Sequence, residues 1–152
     1  MKVLIKILII ITLSGCGYQP IYVANEDTNV AYQYSKITLE GDKMIGNQIL
    51  NLLPLKENKT QNDLNELIIN SNYIVEQTSK DTLGKASTFR TTLTLNLLTK
   101  KGNINLKQKE FFQSSSYGKR DNNFELLQYQ NNIKKNMINT IADEINLYLK
   151  LE

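Results

Sequence analysis

Phe89-Arg90-Thr91-Thr92-Leu93-Thr94-Leu95-Asn96-Leu97-Leu98 alternates along its length. Phe89, Thr91, Leu93, Leu95 and Leu97 fall on one side of an extended chain, and Arg90, Thr92, Thr94, Asn96 and Leu98 fall on the other. A period of two with β-branched and apolar residues is the pattern of a strand with one buried and one polar face. The flanking segments repeat it. Upstream, Leu67, Ile69, Ser71, Tyr73 and Val75 oppose Ile68, Asn70, Asn72, Ile74 and Glu76. Downstream, Ile104, Leu106, Gln108, Glu110 and Phe112 form an expected inner face, opposed by Asn105, Lys107, Lys109 and Phe111. Lys100-Lys101-Gly102-Asn103 reads as a hairpin, and the link over 79–87 contains Gly84. Links this short imply an antiparallel meander, because parallel neighbours need a crossover of about a dozen residues or more.

Beyond the meander the period changes. Tyr34 to Leu39 is a short strand-like run closed by Gly41. Met44, Ile45, Gln48, Ile49, Leu52 and Leu53 then recur at helical spacing, with Asp42 placed to cap the helix and Pro54 to stop it. Residues 55–63 read as a loop. The chain closes with a long helix. Asn122 and Glu125 have capping-box spacing, and Phe124, Leu127, Asn131, Ile138, Ile141, Ala142, Ile145 and Leu149 mark a stripe. The order β-α-β-β-β-α predicts an α+β two-layer sandwich: a mostly antiparallel sheet with two helices on one face. Asn70, Asn72, Arg90, Thr92, Thr94, Asn96, Lys107 and Lys109 are then expected on the uncovered face.

Composition narrows function. The 152 residues include no His, no Trp and one Cys. That excludes imidazole acid–base chemistry, a Ser-His-Asp triad, a His-ligated zinc and an intrachain disulfide. The remaining candidates for hydrolysis are thin. Asp143 and Glu144 are adjacent on a helix and point differently, Asp63 and Glu66 lie at a strand entrance, and Ser114-Ser115-Ser116 lacks a Gly-x-Ser-x-Gly elbow. No enzyme, cofactor or metal is expected. The formal charge is +3, from 18 basic and 15 acidic residues; setting aside Lys2 and Lys6 leaves 16 against 15. A remainder so near neutrality gives no reason to expect a nucleic-acid partner.

Those two lysines precede an apolar run, Val3 to Leu13, shorter than the ~20 residues that span a bilayer. It ends in Leu13-Ser14-Gly15-Cys16, which resembles the lipobox of bacterial lipoproteins. The resemblance implies cleavage before Cys16 and acylation of its thiol and new amine, so that the protein is held on a membrane through lipid. Gly17, where Asp usually signals inner-membrane retention, favours the outer membrane. The expected organisation is a signal peptide at 1–15, an acylated tether at 16–33 carrying Tyr18 and Tyr22, and one α+β domain at 34–152.

Cys16-Gly17-Tyr18-Gln19-Pro20-Ile21-Tyr22, the β-α-β-β-β-α order and the long last helix together resemble alphaproteobacterial LptE, the lipopolysaccharide-assembly lipoprotein of the outer membrane. The resemblance implies a partner, the LptD-type β-barrel, which the lipoprotein plugs and helps to assemble. It also implies contact with lipopolysaccharide in transit to the outer leaflet. It places basic binding residues in sheet-edge loops: Lys119 and Arg120 beside Asp121, and Lys80 and Lys85 in the first meander link. Lys100-Lys101 is a rival cluster without family support. The alternative reading is an accessory lipoprotein of another outer-membrane barrel or secretion complex.

Overall fold

The structure, a computed structural model, describes residues 31–151 apart from Asn62 and Asp121. The readings on 1–30, including Cys16, Tyr18 and Tyr22, lie outside the described residues, as does Asp121. The elements are β1 (Tyr32–Tyr34), β2 (Lys36–Gly41), α1 (Lys43–Leu50), β3 (Leu55–Glu57), β4 (Glu66–Lys80), β5 (Ala86–Lys101), β6 (Ile104–Gly118) and α2 (Asn123–Leu151). The main sheet has the order β2-β4-β5-β6, and β1 and β3 form a small parallel pair beside it. β4–β5 and β5–β6 are antiparallel, as the short links require, whereas β2 runs parallel to β4 across a crossover containing α1. The expected α+β order is present, with both helices on one face of the sheet.

The sheet and helices meet in one core. Leu67 and Ile69 of β4, Leu93, Leu95 and Leu97 of β5, and Phe111 and Tyr117 of β6 are buried beneath Ile45 and Ile49 of α1 and Ile138, Ile141 and Ile145 of α2. The corner between β2 and α1 fixes the first helix. Gly41 has φ +68°, and a Cβ there would lie 2.1 Å from the Ser71 carbonyl oxygen. That carbonyl accepts the Asp42 N–H at 2.7 Å, while the buried Ser71 hydroxyl donates to the Asp42 carbonyl at 2.7 Å. The Asp42 carboxylate in turn accepts the N–H groups of Met44 and Ile45, each at 3.1 Å, as the expected N-cap. Asn122 caps α2 similarly, accepting from Phe124 N–H at 2.9 Å.

Three expectations are corrected. The first concerns β6. Its pairing, Leu95 with Phe111 and Phe89 with Tyr117, puts the odd-numbered residues on the helix side. Lys107 and Lys109 therefore lie on that side, and Phe112, 56% exposed, lies on the uncovered face. A shift of one residue exchanges a strand's faces. The adjacent Phe111 and Phe112 left both frames open to the reading, and a register shift near Thr99 leaves Leu106 unpaired. What decides the frame is Phe111 packing edge-on to Tyr148 and the Tyr117 hydroxyl accepting from Gln130 at 2.9 Å.

The second correction is the stripe of α2. Phe124 and Leu127 are 64% and 56% exposed, and burial begins at Ile133, continuing through Met137 and Ile138. At 29 residues the helix is about 43 Å long, and its first turns meet the core through half-buried Leu126 and through Tyr129 against Tyr117 instead. The third is the β1–β3 pair: the sequence pattern places Tyr32 and Gln33 at the end of the tether and Leu55–Glu57 at the start of a loop, and Tyr34, which it has opening one strand with Leu39, belongs to β1. Tyr32 N–H donates to Pro54 O and Asn58 N–H to Tyr34 O, both at 2.8 Å. Strands of three residues are too short to show a period.

Candidate functional site

Two hairpins turn at opposite ends of the sheet, and each carries lysines. At the β5–β6 turn, Gly102 adopts φ +58°, the first position of a tight hairpin turn. Here Lys100 faces its cross-strand partner Glu66 at 3.5 Å, and Lys101 reaches Asp63 at 2.6 Å. The hydrogen bond from Lys101 and then its charge hold the Asp63 carboxyl below its ordinary 3.8. This cluster is matched charge for charge.

The other end is assembled by strand register. Lys80, the last residue of β4, is opposite Ala86 of β5, and the next residue, Ser87, accepts the Lys119 N–H at 2.8 Å. The link 81–85 is closed by Asp81, whose carboxylate accepts from Leu83 and Lys85 N–H at 2.9 and 2.8 Å, with Gly84 at φ +76°. Lys80, Lys85, Lys119 and Arg120 are thus gathered at one end although about 40 residues separate the pairs in sequence. None of the four forms an ion pair with a described carboxylate. Lys119 and Arg120 line an open cleft of ≈ 470 Å³ with Gly118, Asn122 and Glu125, at the N-terminus of α2.

The structure adds a support that sequence reading missed. The Arg120 guanidinium carbon lies 4.5 Å from the centre of the Tyr129 ring. Tyr129 packs edge-on against Tyr117, which stacks on Phe89. An aromatic ladder therefore runs from the sheet to the arginine and holds its planar cation by a cation–π contact. The sequence signal would have been Tyr129 on the first turns of the helix that Arg120 precedes. Beside this end, Thr78 and Ser79 exchange hydroxyl hydrogen bonds with Thr88 at 2.7 Å. Four cations in no ion pair with a described carboxylate suit a multiply charged phosphate ligand, and Arg contributes a two-pronged donor.

The residues weighed for hydrolysis do not converge. Glu144 accepts from Gln113 at 2.7 Å, Asp143 is exposed, and Asp63 and Glu66 belong to the matched lysine cluster. Among the described residues no three His, Cys, Asp or Glu side chains come together to hold a metal, and no helix is long and apolar enough to cross a membrane.

No protein-family profile matches the chain, and no curated protein matches it. Solved structures do. The crystal structure of rare lipoprotein B from Shewanella oneidensis superposes with a TM-score of 0.55 at 10% identity, covering 76% of this chain and 93% of that one. The solution structure of an uncharacterized lipoprotein B from Nitrosomonas europaea gives 0.54 at 14% identity, covering 78% and 84%. At these identities the likeness is one of fold.

Proposed function

We propose, from a chain that has the fold of the rare lipoprotein B structures, an outer-membrane lipoprotein of the LptE type. On this reading it is anchored through acylated Cys16, assembles with and plugs an LptD-type β-barrel, and assists lipopolysaccharide transport to the outer leaflet. The observation that carries the reading is the shared fold, since rare lipoprotein B is LptE. The lipobox supports the anchor: one acyl chain binds a membrane only marginally, and several hold it durably.

The uncovered sheet face supports the plug. A wide barrel has a polar interior, so a chain seated in it needs a hydrogen-bonding exterior around its own core. Asn70, Asn72, Arg90, Thr92, Thr94 and Asn96 supply one, joined by Gln108, Glu110, Ser114 and Ser116. The basic end supports contact with lipopolysaccharide. Lys80, Lys85, Lys119 and Arg120 would meet the phosphates of lipid A, with Tyr129 holding Arg120 in place.

The test is recovery of the partner. Pull-down of the native lipoprotein from detergent-solubilised outer membranes, read by mass spectrometry, is expected to return the lipopolysaccharide-transport barrel. Recovery of a different barrel in its place would overturn the reading in favour of an accessory lipoprotein. The Cys16→Ala variant is expected to leave the membrane fraction on carbonate washing, and its retention would remove the lipid anchor.

A further inference from the structure

Leu83, Phe124 and Leu127 are large apolar side chains exposed at the end of the sheet that carries the unmatched cations. Leu83 is 78% exposed at the tip of the link 81–85, between Lys80 and Lys85. Its N–H is held by the Asp81 carboxylate at 2.9 Å, so the side chain stands on a closed turn. Phe124 and Leu127 lie on the first turns of α2, just beyond Lys119 and Arg120. Their spacing of three puts them on one side of the helix. The Lys119–Ser87 hydrogen bond joins the two segments, and along this path Lys85, Lys119 and Arg120 come between Leu83 and Phe124. At the matched end Ile104 is exposed as well, but its cross-strand neighbour Lys101 is neutralised by Asp63.

Unmatched cations beside exposed apolar groups complement an amphiphile, with phosphate for the one and hydrocarbon for the other. A phosphosugar alone would leave Leu83, Phe124 and Leu127 in water. A bilayer surface offers both chemistries, but the course of the chain favours a single lipid molecule. β1 leads through Ser35 into Lys36, which pairs with Glu66 at the matched end. From there β4 runs 15 residues, about 50 Å, to Lys80. The residues before β1 therefore join the domain at the end opposite the cations, and on the lipoprotein reading the anchor enters there.

We propose that Leu83, Phe124 and Leu127 take acyl chains of the same phosphorylated lipid whose phosphates meet the four cations. The inference rests on the lipopolysaccharide reading of this end and adds its apolar half. The cations hold the head of the molecule, and the apolar side chains on either side of them cover hydrocarbon that would otherwise face water. A Leu or Phe side chain that leaves water on binding contributes on the order of tenfold or more in affinity. The acyl chains therefore add affinity of their own, separable from that of the phosphates.

The test is titration of two soluble ligands into the full-length chain in phosphatidylcholine nanodiscs, with protein-free discs as the blank. One ligand is lipid A with short acyl chains, and the other is the same bisphosphorylated disaccharide without them. The acylated ligand is expected to bind on the order of tenfold or more tighter. Leu83→Ser with Phe124→Ser and Leu127→Ser is expected to remove most of that difference. It should leave binding of the deacylated ligand and the melting nearly unchanged, because the three side chains are exposed. Ile104→Ser, an exposed apolar change at the matched end, is expected to leave both affinities as they are. Equal affinity for the two ligands, or an acyl advantage that survives the triple substitution, would overturn the proposal. If Lys119→Asp with Arg120→Asp then still weakens both ligands, the phosphate reading stands without its apolar half. Failure of either ligand to bind at all would remove both readings.

Discussion

The two ends of the sheet both carry cations and differ in what surrounds them. At the β5–β6 turn, Lys100 and Lys101 are met by Glu66 and Asp63. At the opposite end, Lys80, Lys85, Lys119 and Arg120 have no described acidic partner, and one of them lies on an aromatic ring. A lysine pair in sequence is therefore not a binding site by itself. What separates the two ends is whether the fold brings a carboxylate to each cation, and strand register decides that.

The comparison yields predictions of decreasing size. The largest effect belongs to the scaffold that both ends share. Gly41→Val forces a side chain into the Ser71 carbonyl at positive φ and is expected to cost about 3 kcal/mol or more. Both ends should then fail together in thermal denaturation and in binding. Ile141→Ala empties a fully buried position on the sheet-facing side of α2 and is expected to cost about 2–5 kcal/mol, read from the denaturant midpoint.

The next effect separates the ends. Lys119→Asp with Arg120→Asp is expected to weaken lipopolysaccharide binding on the order of tenfold or more, with melting nearly unchanged, since both side chains are exposed. Tyr129→Leu keeps the charge and removes the ring beneath Arg120. It is expected to cost roughly 0.5–1 kcal/mol of binding, a few-fold in affinity by titration.

The smallest effect is at the matched end. Lys100→Ala with Lys101→Ala is expected to leave binding unchanged and stability within about 1 kcal/mol. The pH dependence there has a definite sign. The folded Asp63 pKa lies below its ordinary 3.8, so what the pair contributes is present above that value and is lost as pH falls through the folded pKa. Acid titration followed by NMR of the Asp63 carboxyl should show the depressed midpoint, and Lys101→Ala should restore it.

Legibility followed the physics of burial. β4 and β5 could be read because one buried face imposes an unbroken alternation, from Leu67 to Tyr73 and from Thr91 to Leu97. The Asp42 and Asn122 caps could be read because each side chain bonds backbone two or three residues away. The face of β6 could not, because Phe111 and Phe112 satisfy opposite frames and only tertiary partners choose between them. The stripe of α2 was misplaced over its first turns, where Leu126 and Tyr129 meet the sheet side and Phe124 and Leu127 are exposed. For the candidate site, the four basic residues were visible as residue types. Their convergence, the neutralisation of Lys100 and Lys101 and the support from Tyr129 all depend on contacts between distant segments.

The account turns on the unmatched end being the one that meets lipopolysaccharide. Titrating lipopolysaccharide into the chain, into Lys119→Asp with Arg120→Asp, and into Lys100→Asp with Lys101→Asp applies the same charge change to each end. The account predicts that the first double variant loses on the order of tenfold or more in affinity and that the second binds as the unaltered chain does. Equal losses at both ends, or a loss confined to Lys100 and Lys101, would contradict it.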